Sequence, residues 1–290
     1  MSGGARSGRR GGAAPRARKR FGQHFLSDDF VLSQISSALK LASTDSLFEI
    51  GPGQGALTAA LYGEPQRYRA VEIDRDLVPP LQQRFPDLQL ISADVLAVPM
   101  QDLLADGPWR VVGNLPYNIT SPLLGALFDA LDLVTDVHVM VQKEVALRIA
   151  SPPGTKTYGR LTVAAQVRVA TELLFEVAPE SFTPPPAVDS AVIRLTPLPP
   201  EQQLPAAQLA ALDQVLRTAF AQRRKRLTNA LRTLAVDWDA VAVDPALRPD
   251  QVSVAEYVRL AQWALSAGQS GASEAGQSSA SDAGQSSANE

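Results

Sequence analysis

The chain has 290 residues, of which 45% are hydrophobic, enough to bury one large core and one smaller one. It holds no cysteine and only two histidines, His24 and His138, which excludes disulfides, thiolate metal sites and a His-based metal cluster. The net charge of −3 argues against a uniformly basic nucleic-acid binder, but the cations are clustered rather than spread.

Residues 1–20 carry seven Lys or Arg and no acid, and read as a disordered basic arm. No apolar stretch follows the arm, so it is not a secretory signal, and no apolar run in the chain approaches bilayer length. A cytoplasmic protein that neither enters a membrane nor binds a metal is expected.

Strands and helices then alternate. Ser46–Ile50 predicts a strand ending at a glycine loop, and Leu57–Tyr62 a helix. Tyr68–Ile73 predicts a second strand, with a helix from about Asp76. Leu88–Ser92, Arg110–Leu115 and Val137–Val141 are three further strands, with helical stretches at 121–131 and 143–150. This order predicts a parallel, doubly wound α/β sheet. Val167–Val177 and Ser190–Leu195 suit an antiparallel edge. Pro197–Pro205 reads as a linker, and Ala206–Phe220, Arg223–Leu234 and Val254–Ala264 as helices of a small all-α domain. Residues 267–290 repeat an eight-residue unit (AGQSGASE, AGQSSASD, AGQSSANE) with no large apolar side chain, a low-complexity tail that cannot bury a face.

Four motifs carry chemistry. EIGPGQGALT, from Glu49 to Thr58, sets Gly51, Gly53 and Gly55 between the first strand and its helix, where backbone can approach a ligand. Its G-x-G-x-G spacing departs from the dinucleotide fingerprint. Glu72, 21 residues beyond Gly51 and followed by Ile73, stands at the tip of the second strand, where a carboxylate can accept from two ribose hydroxyls. Together these suggest a nucleoside-containing cofactor, without separating NAD from S-adenosylmethionine. Asp94, past the third strand, suits either an adenine amine or the cap of the next turn. NLPY, Asn114–Tyr117, follows the fourth strand at the carboxyl edge of the sheet. The Asn114 amide oxygen and the Leu115 carbonyl, kept from regular pairing by Pro116, offer two acceptors to the two N–H groups of a base amine. Tyr117 can stack on a base that has left its helix.

With those residues in view, the chain resembles the dimethyladenosine transferases of small-subunit ribosomal RNA from residue 19 to about 265. The matching stretches are KRFGQHFL, EIGPGQGALT, VEIDRDL, GNLPYNITSPLL, MVQKEVALRI, YGRLTV, FTPPPAVDSAVIRL and QRRKRLTNAL, in order. The resemblance implies a Rossmann-like S-adenosylmethionine-dependent methyltransferase domain over 21–198, a helical RNA-binding domain over 199–266, and tails at 1–20 and 267–290. It implies that His24 and Leu26 line the methionine end of the cofactor, that Gly51 and Gly53 lie against it, and that Glu72, with Ile73 beside it, holds the ribose. Asp94 would take the adenine amine, Asn114 would serve both cofactor and target, and Tyr117 and Phe182 would sandwich the target adenine. Arg223, Arg224, Lys225 and Arg226 would face RNA phosphates. Ala187 departs from the family, which often carries lysine there.

The implied reaction is transfer of two methyl groups to N6 of each of two adjacent adenosines near the 3′ end of 16S RNA, within a 30S-like particle, by a monomer. Three rival readings stand beside it. A resistance methylase of large-subunit RNA tends to carry Ile at the position of Leu115 and to be more basic. A non-catalytic binding factor on the same scaffold, acting in ribosome assembly or transcription, would be expected to lose pocket residues, and an NAD oxidoreductase would have no use for NLPY.

Overall fold

The computed structural model describes residues 23–267; the basic arm and all but the first residue of the repeat tail lie outside the described residues. A seven-stranded sheet organises the chain. Its strands are β2 (Ser46–Ile50), β3 (Arg67–Glu72), β4 (Gln89–Ser92), β5 (Trp109–Asn114), β6 (Val134–Gln142), β7 (Val169–Val177) and β9 (Ser190–Pro197). The order is β4-β3-β2-β5-β6-β9-β7; the first five strands are parallel, and β9 runs antiparallel to both β6 and β7. Every strand expected from the sequence is present, shifted by three residues at most.

Strand alternation explains why both faces of the sheet are covered. Phe48, Val71, Val111, Val139 and Ile193 point to one face and join a buried cluster with Leu103, Leu123, Leu127 and Ile149. Those four come from α4 (Met100–Leu103), α5 (Thr120–Phe128) and α6 (Lys143–Ile149). Their strand neighbours Leu47, Ala70, Val112, Met140 and Val192 point the other way. They pack on Ile35, Leu57 and Leu81, from α1 (Asp29–Leu39), α2 (Ala56–Leu61) and α3 (Val78–Arg84).

Helix α1 was not among the expected elements, though it carries its own signals. Asp28 caps it, accepting from the Phe30 and Val31 amides, and Val31, Leu32, Ile35 and Leu39 form its buried stripe. The two-stranded pair of β1 (Phe25–Leu26) with β8 (Phe182–Thr183) is also new; it joins Leu26 to Phe182 across the molecule.

The C-terminal region is helical: α8 (Ala206–Ala221), α9 (Leu227–Ala230), α10 (Trp238–Val241) and α11 over 254–267. The single helix expected over Arg223–Leu234 is broken. Residues 222–226 form a turn because tertiary partners take the amides a continuous helix would use. Leu227 N donates to the Leu247 carbonyl and Thr228 N to the Pro245 carbonyl. The region shares one buried cluster with α7 (Arg160–Gln166) and its flanks, where Tyr158, Val163 and Val167 meet Leu216, Leu227 and Tyr257. Packing therefore crosses the expected boundary at 198/199. Among the described residues no helix is long and apolar enough to cross a membrane, and no group of three or more His, Asp or Glu could hold a metal ion.

Candidate active site

The carboxyl ends of β2, β3, β4 and β5 open on one side, where ligands bind in doubly wound folds. The loop after β2 needs glycine at two points in particular. Gly51 has φ +68°, and a Cβ built there would meet nothing within 4 Å, so the backbone fronts open space. Gly53 has φ +58°, and its Cβ would sit 3.0 Å from the Phe25 ring.

Glu72 staples this loop. One carboxylate oxygen accepts from Gly53 N at 2.9 Å and the other from Asp74 N at 2.8 Å. Only 4% of the residue is exposed, and burial raises its pKa against the pull of those two amides. Next to it Ile73 leaves 40% of its surface exposed, an apolar platform at the rim. Asp94 is exposed and its Oδ1 accepts from Leu96 N at 2.9 Å, so it does cap the following turn while also facing the cavity.

Asn114 ends β5. Its Nδ2 donates to the His24 carbonyl at 2.8 Å. A carbonyl can only accept, so this contact fixes the amide orientation and leaves Oδ1 as the atom turned from His24. Leu115 N donates to the Met140 carbonyl at 3.0 Å. The Pro116 carbonyl takes Ile119 N and Thr120 Oγ1, both at 3.1 Å. Tyr117 is held at its hydroxyl by Ser190 Oγ at 2.6 Å, and its ring stacks on His24 with centroids 5.7 Å apart.

These loops enclose one cavity of about 360 Å³. Gly51, Gly53, Glu72, Ile73 and Asp94 line it. Asn114, Leu115, Pro116 and Tyr117 line it too, with His24 and Leu26 also in the wall. The expected pocket residues of the sheet rim and of the N-terminal segment are therefore brought together.

Two expectations change. Phe182 does not line the cavity. It is 3% exposed and packs in the core with Leu26, Val177 and Val192, because β8 pairs it with Leu26. The ring beside Tyr117 is that of His24. Arg223 is held by the protein: its guanidinium donates to the Lys156 carbonyl at 2.6 Å and lies 3.4 Å from Asp250. Arg224, Lys225 and Arg226 are exposed on the same turn.

Sequence reasoning gave no role to two residues. Glu49 lines the cavity at 1% exposure, and its Oε2 accepts from Thr58 Oγ1 and from the Tyr68 hydroxyl, both at 2.7 Å. Burial pushes its pKa up to about 7, with the two hydroxyls pulling the other way. The signal was an acid inside an otherwise apolar strand, SLFEI. Ser190 is the other, fully buried beneath Tyr117.

Comparison with known proteins gives the same direction. Residues 14–266 match the family model described as ribosomal RNA adenine dimethylase. The chain is 48% identical over 256 residues to ribosomal RNA small subunit methyltransferase A of Bordetella avium, covering 87% of this chain and 97% of that protein. It is 45% identical over 249 residues to the protein of that name in Coxiella burnetii, covering 84% and 96%. Among solved structures, a dimethyladenosine transferase from Plasmodium falciparum superposes with a TM-score of 0.70 at 24% identity, covering 82% of this chain and 96% of that one, a likeness of fold. The 23S rRNA methyltransferase ErmE superposes with a TM-score of 0.63 at 26% identity, covering 82% and 98%.

Proposed function

The chain belongs to the ribosomal RNA adenine dimethylase family, and from that premise we propose that it dimethylates N6 of two adjacent adenosines near the 3′ end of 16S RNA, using S-adenosylmethionine. The observation that supports this most directly is the amide of Asn114, oriented by His24 at the wall of the cavity that the glycine loop also lines.

The cavity suits this cofactor. Gly51 presents bare backbone to open space, which a Cβ would invade, and Ile73 offers an apolar face at the rim. Glu72 would hold the ribose, Asp94 the adenine amine through its second oxygen, and His24 and Leu26 the methionine end. When bound, S-adenosylmethionine supplies an activated methyl group on a sulfonium.

The remaining work falls to the chain. A flipped adenine would lie against Tyr117, its amine hydrogens accepted by Asn114 Oδ1 and the Leu115 carbonyl. The nitrogen lone pair is delocalised into the ring and is a poor nucleophile. Drawing the hydrogens out of the ring plane localises that pair and directs it at the methyl carbon. Catalysis is then positioning plus stabilisation of the positive charge that develops on nitrogen. The alkylated amine is acidic and loses its proton to water, so no strong base is required. Exposed Arg224, Lys225 and Arg226 would contact RNA phosphates.

The substrate would be small-subunit RNA within a 30S-like particle, met by a monomer in the cytoplasm. Incubation with radiolabelled S-adenosylmethionine and unmethylated ribosomal subunits tests this. Label on the small subunit is expected. Label on the large subunit alone, or none, overturns the reading.

A further inference from the structure

Tyr117 lies in the turn over 117–119, outside any helix or strand, with one face of its ring stacked on His24. Its hydroxyl meets Ser190 Oγ at 2.6 Å, a short contact for two hydroxyls. Ser190 is a rigid anchor. It is fully buried, it opens β9, and it is paired on one side with Gln142 of β6 and on the other with Val177 of β7.

Resting on the methyltransferase reading above, we propose that Ser190 is a positioning residue for the target base, acting through the Tyr117 hydroxyl. A tyrosine ring free at its far end samples several orientations, and only some present a face to an incoming base. The Ser190 contact removes that freedom before the base arrives, so the cost of ordering the ring is not levied on RNA capture. The phenol is half-buried, which raises its pKa, and its hydroxyl finds a partner in Ser190. A purely structural hydrogen bond would affect stability alone. A positioning bond must also appear in the Michaelis constant for RNA.

The test is a double-mutant cycle with Tyr117→Phe, Ser190→Ala and the pair, measured as methyl transfer to unmethylated small subunits. Each single change is expected to raise KM for the RNA particle by about three- to ten-fold, the size of one hydrogen bond, with kcat changed by less than about two-fold. The pair should match either single change, because both delete the same contact. The dissociation constant for S-adenosylmethionine, by calorimetry, should stay at the wild-type value. A wild-type KM in Tyr117→Phe, or fully additive effects in the pair, overturns the proposal. Because Tyr117→Phe keeps the ring and alters only a hydroxyl, it remains informative if Ser190→Ala does not fold. Absence of transfer by the wild-type protein would strike the functional reading instead, so the two failures are separable.

Discussion

Asn114 and His24 lie 90 residues apart in the chain and meet at 2.8 Å, amide nitrogen to backbone carbonyl. The contact joins the N-terminal segment to the end of β5 and decides which atom of the Asn114 amide is left to accept.

This relationship makes asparagine, and not merely an acceptor, necessary. In Asn114→Asp a carboxylate oxygen would face the His24 carbonyl oxygen, and the side chain would be pushed out of register. Asn114→Asp and Asn114→Ala are each expected to lower methyl transfer by at least about 100-fold, the scale of losing one fixed electrostatic partner of a reacting group. Circular dichroism melts should show both proteins folded. Turnover at the wild-type rate in Asn114→Asp would remove the orienting role of His24.

Glu72 uses both oxygens to hold backbone amides of the loops that frame the cavity. Glu72→Gln places an NH2 group against one of those N–H donors. Calorimetry is expected to show S-adenosylmethionine bound at least about ten-fold more weakly, the scale of one hydrogen bond to a charged group. An unchanged dissociation constant would mean that the staple does not shape the cofactor site.

Glu49 gives a pH dependence of definite sign. Burial raises its pKa from the ordinary 4.5 to about 7. The folded protein therefore keeps a proton that the unfolded chain releases between those values. The stabilisation is complete below pH 4.5 and is lost as pH rises through 7, by on the order of 3 kcal/mol. In urea unfolding at pH 5 and pH 8, Glu49→Gln should gain stability relative to wild type at the higher pH. A constant offset between the two proteins would contradict the buried, proton-holding carboxyl.

The basic turn separates by partner. Arg223→Ala should lower the thermal midpoint, since it loses the Lys156 carbonyl and Asp250, and should leave the salt dependence of RNA binding nearly unchanged. Arg224→Ala and Arg226→Ala should each reduce the slope of log affinity against log salt by about 1 and leave stability alone. Equal slopes for all three variants would show that the turn does not read phosphates.

Much of this was legible in the chain, for local reasons. β2, β3 and β5 announce themselves because their apolar runs end at glycine, acid and NLPY, and a parallel sheet brings those three ends to one edge. What escaped was set by distant partners. β1 and β8 are two residues each, too short for any periodic signal, yet their pairing decides that Phe182 lies in the core and that His24 supplies the ring beside Tyr117. Arg223 reads as one more cation until the loop at 155–156 and Asp250 close around it. Helix α1 is a different case: its cap and its stripe were present in the sequence.

Tandem mass spectrometry of ribonuclease fragments of small-subunit RNA, after incubation with the protein and S-adenosylmethionine, tests the amine-holding pocket most directly. Wild type should yield N6,N6-dimethyladenosine at two adjacent positions, and Asn114→Ala should yield almost none. Methyl groups on ribose or on another base, or undiminished dimethyladenosine from Asn114→Ala, would contradict it.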